Sequence, residues 1–156
     1  MATSQVGDVA GTGPVLFAYD GSELAALAIE QAGRELAAGR EALVLCVWQP
    51  ADVGFVLAGE RQFDADQAWQ VQTAAEEVAA RGATLADKAG FRSKSMAVQA
   101  GPTWKGIVET ADERKASLIV LGSHRRSGLV GHLLGSVAAA VASHSAGSVL
   151  IVHQPS

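Results

Sequence analysis

The chain has 156 residues, 49% hydrophobic and 18% charged, which suits one domain with a full core and excludes a disordered chain. A net charge of -4 gives no ground for nonspecific nucleic-acid binding, and the apolar runs at 42–48 and 148–152 are far too short to span a bilayer. The start, "MATSQVGDVAGTG", has neither a basic stretch nor an apolar signal core.

In chain order, residues 1–13 read as a flexible tail and 14–153 as a single domain. The first strand is expected at "PVLFAY" (14–19). After "DGS", Leu24, Ala28, Ala32 and Leu36 recur every four residues, the spacing of one helix face, and Gly39 is a natural stop. A second strand follows in "ALVLCVW" (42–48). Its Cys46 is the only cysteine, so no intrachain disulfide can form, and its apolar neighbours predict a buried, inert thiol. These features together predict a soluble cytoplasmic domain.

Residues 49–66 form the longest unpatterned connection, of a length often tied to function. Val71, Val78 and Leu85 then mark a helix that Gly82 should weaken slightly. "SMAVQA" (95–100) predicts the third strand. Pro102 opens a helix with Trp104, Ile107, Val108 and Ala111 on one side. "SLIVLG" (117–122) is the fourth strand, and a glycine-rich loop follows it. The last helix, "VAAAVASHS", has Ser136 as its expected cap, and "SVLIVH" (Ser148 to His153) is the fifth strand. Strands alternating with helices, and nearly continuous Val, Leu and Ile in several runs, predict an α/β fold. The expected sheet is open, five-stranded and mainly parallel, with helices on both faces and right-handed crossovers.

In such a sheet, ligands bind beyond the strand carboxyl ends, where the strand order reverses. Two ends carry suitable groups, "FAYDGS" and "VLGSHRRSG". Asp20 can accept from a ribose hydroxyl or cap the first helix, and its chemistry does not choose between them. Gly122, Gly135 and Ser136 offer close backbone approach and helix N–H groups to phosphates, or form an ordinary turn. Other signatures fail. The chain has no G-x-x-x-x-G-K-[ST] loop and no G-x-S-x-G elbow, and "GTG" at 11–13 precedes the first strand. His124, His132, His144 and His153 lack metal-type pairing, and no base and nucleophile constellation emerges. Trp48, Trp69 and Trp104 read as core or crevice walls rather than a stacking platform for nucleic acid.

Three segments resemble the universal stress protein family: "VLFAYDGSELAALAIEQA", "GPTWKGIVETADERKASLIVLGSH" and "LLGSVAAAVASHSAGSVLIV". The closing pattern is the most specific of them. Ser117 stands where an acidic residue is common in the family, a minor departure. The resemblance implies a Rossmann-like sheet of strand order 3-2-1-4-5, usually dimeric, and a stress-response role. One branch binds ATP through glycine, two residues, glycine, nine residues, then glycine and a small hydroxyl residue. Here Gly122, Gly135 and Ser136 match that motif at intact spacing, while Arg125 replaces the second glycine. Arginine loses the glycine's backbone freedom but offers a guanidinium fork suited to phosphate. The resemblance further implies Asp20 and the Gly122 backbone at the ribose and the Val47 backbone at adenine. Gly135, Ser136 and Val137 would lie at the phosphates, with His124 and Arg125 beside them. The expected ligand is ATP or ADP, with Mg unresolved. The expected assembly is a homodimer through Ser148 to His153, without nucleic-acid or membrane partners. A binding module is expected ahead of an enzyme, with weak ATPase activity left open. The alternative is an interaction protein of the same fold whose pocket is empty.

Overall fold

A computed structural model describes residues 13–50, 65–124 and 134–155. Nine elements alternate along it: β1 (Val15–Ala18), α1 (Glu23–Glu35), β2 (Glu41–Trp48), α2 (Ala65–Lys88), β3 (Arg92–Gln99), α3 (Thr103–Glu113), β4 (Leu118–Ser123), α4 (Ser136–His144) and β5 (Ser148–His153). The strands form one sheet in the order β3-β2-β1-β4-β5, and every pairing is parallel. The expected order holds, and "mainly parallel" becomes wholly parallel.

The continuous apolar runs divide between two cores because successive strand residues point to opposite faces. Val15, Phe17, Val44 and Val120 pack with Ala25, Ala28, Ile29 and Ala32 of α1 and Ala86 of α2. Leu16, Leu43, Leu45, Ile119 and Leu121 pack with Ile107, Val108 and Ala111 of α3 and Ala138 and Val141 of α4. Phe17 and Phe91 meet edge to face at 5.1 Å within the first core. A third cluster joins Cys46 and Trp48 to Ala75 and Ala79 of α2.

Several local expectations change. β3 begins at Arg92, earlier than the apolar run suggested, because an edge strand tolerates polar residues such as Lys94 in register with Leu43. α4 begins at Ser136, so its cap is Gly135 and no side chain caps it. Of the three tryptophans, Trp48 is buried and donates to Gln72 Oε1 at 2.6 Å, and Trp104 stacks on His144 with ring centroids 4.0 Å apart. Trp69 is 69% exposed on α2 and is neither core nor crevice wall.

Ser117 has a definite task at the amino ends of the strands. Its Oγ accepts from Arg40 Nη2 at 2.7 Å and donates to the Gly13 carbonyl at 2.8 Å, while its N–H donates to the Pro14 carbonyl at 2.9 Å. The chain entering β1 is thereby fastened to β4, and a carboxylate could not supply the hydroxyl donor.

Candidate functional site at the switch point

The central strand is short, and this makes a crevice. β1 pairs with β2 only as far as Ala18 against Leu45, and with β4 only as far as Phe17 against Val120. β2 runs on to Trp48 alongside β3, and β4 runs on to Ser123 alongside β5. The space beyond β1 is therefore bounded by the projecting ends of its two neighbours, at the point where strand order reverses.

Its volume is about 160 Å³. The floor is Ala18, Tyr19 and Asp20, and one wall carries Leu45, Val47, Thr103 and Ile107. The other wall carries Leu121, Gly122, His124 and Val137. An adjoining recess of about 240 Å³ shares Gly122, His124 and Val137 and extends to Ser123, Gly135, Ser136 and Ala138. The two hollows thus place a largely apolar chamber beside a helix start.

Asp20 follows β1 and is exposed. Its Oδ1 accepts from the Ser22 N–H at 3.0 Å, and Gly21 between them has φ +85, a left-handed turn that glycine takes without strain. Ser22, not Asp20, caps α1, accepting from the Ala25 N–H at 3.1 Å. The cap alternative for Asp20 therefore falls, and its carboxylate stays at the crevice floor. Burial pushes the thiol of Cys46 above its ordinary 9.0, and the negative charge of Asp20 adds to the effect. That agrees with the inert thiol expected from sequence.

Val47 takes its place from strand geometry. The Leu45 carbonyl accepts from Tyr19 N–H, so it faces β1, and the Trp48 carbonyl accepts from Ala100 N–H on the β3 side. Backbone groups alternate in direction along a strand, so the N–H and C=O of Val47 face the β1 side, past the last β1–β2 pair. One donor and one acceptor are thus presented side by side at the crevice edge.

Gly122 has a packing reason of its own. A Cβ there would stand 2.6 Å from Leu24 Cγ and 3.3 Å from the Leu24 carbonyl oxygen, so glycine is what lets α1 lie against the end of β4. Gly135 donates its N–H to Ser123 Oγ at 2.8 Å. The amides left at the start of α4 are those of Ser136, Val137 and Ala138, since the first intrahelical bond is Ala139 N–H to the Gly135 carbonyl. Val137 is 36% exposed and belongs to both hollows. Arg125, with Arg126, Gly128, Gly131 and His132, lies outside the described residues.

The structure therefore brings Asp20, Val47, Gly122, His124, Gly135, Ser136 and Val137 to one place. Tyr19, Ser22, Thr103 and Ser123 join them without having been singled out. Ser22 was findable as a hydroxyl just before a helix, and Thr103 as a hydroxyl directly after Pro102. Ser123 carried only one cue, a small polar residue ending an otherwise apolar strand. Among the described residues, no three His, Cys, Asp or Glu side chains group to hold a metal, and no helix is long and apolar enough to cross a membrane.

An open, doubly wound parallel sheet with a crevice at its switch point defines the class of this molecule. Within that class, the chain belongs to the universal stress protein family, whose profile matches residues 11–153. It is 28% identical to universal stress protein Rv1636 of Mycobacterium tuberculosis over 141 residues, covering 89% of this chain and 94% of that one. A universal stress protein solved in complex with cAMP is 27% identical, with a TM-score of 0.62, covering 92% of this chain and 98% of the other. The fold is also that of a universal stress protein from Archaeoglobus fulgidus in complex with dAMP, at TM-score 0.56 and 20% identity, covering 90% and 97% of the two chains.

Proposed function

We propose that this protein is a cytoplasmic stress-response module that binds an adenine nucleotide, ATP or ADP, in the switch-point crevice. The observation that carries the reading is the adjacency of three kinds of group. These are the outward donor and acceptor of Val47, the exposed carboxylate of Asp20, and the uncapped start of α4. They suit, in turn, an adenine edge, a ribose hydroxyl and a phosphate. The cAMP complex of a family member supports the adenine nucleotide class. Arg125 belongs to the reading as a proposed phosphate clamp. The reading is one of binding, and no chemical step is part of it.

We further propose a homodimer through β5. This strand is a sheet edge, and Leu150 and Ile151 line a groove with Leu27 and Leu36 of α1. A two-fold pairing of such edges would close the assembly.

The second reading is an interaction protein of the same fold that holds no nucleotide. Leu24 already accounts for Gly122, and Ser123 already occupies the Gly135 amide. Mass spectrometry of freshly purified, denatured protein, followed by calorimetry with ATP, ADP and adenosine, separates the two. Co-purified adenine nucleotide, or a Kd well below about 1 mM (−4.1 kcal/mol), supports the first reading. The absence of both bound nucleotide and binding heat would overturn it.

A further inference from the structure

Ser123 is the last residue of β4 and is 2% exposed. A hydroxyl this deep is costly unless it is bonded, and this one bonds across a long chain excursion. Its Oγ accepts the Gly135 N–H at 2.8 Å, joining the tip of β4 to the residue that caps α4, twelve positions later. It makes that contact from the wall of the recess it shares with Ser136, Val137 and Ala138. The hydroxyl's own proton has no acceptor among the described residues.

The consequences for α4 are directional. Gly135 cannot cap the helix with a side chain, so α4 meets the sheet through the apolar packing of Ala138 and Val141, and no side-chain hydrogen bond from α4 itself fixes its first turn. The bond from Ser123 supplies that constraint at the cap residue. A Cβ at Gly135 would come within 3.2 Å of the His124 carbonyl oxygen, which shows how closely the two segments are drawn together. Ser136, Val137 and Ala138, whose amides have no partner within the helix, line the recess with Gly122 and His124. A first turn held in place binds an anion without the cost of ordering it at that moment.

We infer that Ser123 is the positioning residue of the phosphate end of the site. It locks the α4 start against β4 so that this recess selects phosphorylated over unphosphorylated adenine compounds. The inference rests on the nucleotide-binding reading and adds to it where selectivity for phosphate originates.

The test compares ATP, AMP and adenosine by calorimetry on the full chain with Ser123, Ser123→Ala and Ser123→Thr. Melting curves are recorded in parallel. Ser123→Ala is expected to weaken ATP and AMP by about tenfold and adenosine by less than about twofold. Ser123→Thr, which retains the hydroxyl, is expected to restore the ratio. If Ser123→Ala fails to fold, Ser123→Cys, whose thiol is a poor acceptor for the Gly135 N–H, takes its place with the same expected direction. An unchanged ratio of ATP to adenosine affinity in the variant would overturn the role of Ser123, as would an equal loss for all three compounds. If the unsubstituted chain binds none of the three, the nucleotide reading itself has failed, and the role falls with it.

Discussion

Gly82, in the middle of α2, lies against the ring of Tyr19: a Cβ at Gly82 would stand 2.6 Å from Tyr19 Cδ1 and 2.7 Å from Val44 Cγ1. Helix propensity alone makes this glycine a defect worth about 1 kcal/mol relative to alanine. Packing reverses that judgement, because the missing side chain is what lets α2 approach the sheet beneath the crevice floor. Gly82→Ala is therefore expected to lower stability by about 1–3 kcal/mol despite the better helix former. Urea denaturation measures it, and a gain in midpoint would show that α2 can shift without penalty.

Asp20 has two duties that substitution can separate. Its Oδ1 braces the turn through Ser22 N–H, and its charge faces the crevice. Asp20→Ala should weaken ATP by about tenfold or more, the scale of one hydrogen bond to a charged group, about 1.5 kcal/mol. Because Ser22 retains the α1 cap, the melting temperature should change little. Equal calorimetric affinities in the two proteins would remove Asp20 from the site.

The buried thiol predicts a pH dependence. Cys46 ionises less readily in the fold than in the unfolded chain, because burial and then Asp20 oppose the thiolate. A group whose folded pKa is raised contributes stability that is complete below the unfolded value and lost as pH rises through the folded one. Stability should thus fall as pH rises above 9.0, and Cys46→Ala should flatten that part of the profile. Parallel slopes for the two proteins above that pH would show that Cys46 contributes nothing to it.

The β5 edge sets the assembly prediction. Ile151 is half-buried beside the α3–α4 core, on the strand that ends the sheet. The unsubstituted chain should scatter light as a dimer at micromolar concentration. Ile151→Lys should be a folded monomer, because a charge on an edge strand opposes pairing. A monomeric unsubstituted chain would remove β5 as an interface.

Most of the architecture was legible because buried parallel strands must be apolar on both faces. Val15 to Phe17, residues 42–46 and residues 118–121 therefore announced themselves, and helical spacing filled the gaps. The start of β3 was not legible, since Arg92, Ser93 and Lys94 sit on an edge where polarity is allowed. At the site, Gly122, Gly135 and Ser136 stood out through motif spacing, and Asp20 through its place at a strand end. Ser123 and Thr103 did not, because a lone hydroxyl has no period and its value depends on what folding brings to it. Nor could spacing reveal that Leu24 requires Gly122, or that the Gly135 amide already has a partner. Those facts belong to contacts between distant segments.

The four-residue β1, set between an eight-residue and a six-residue neighbour, makes the crevice an omission rather than a construction. A hollow produced by unequal strand lengths is insensitive to side-chain identity. Substitutions at Asp20, Ser123 or Val137 can change what occupies it, yet the gap persists while β1 stops at Ala18. Binding chemistry on this scaffold can therefore be lost, regained or redirected one residue at a time without refolding the sheet. Closing the hollow would take an insertion that lengthens the central strand.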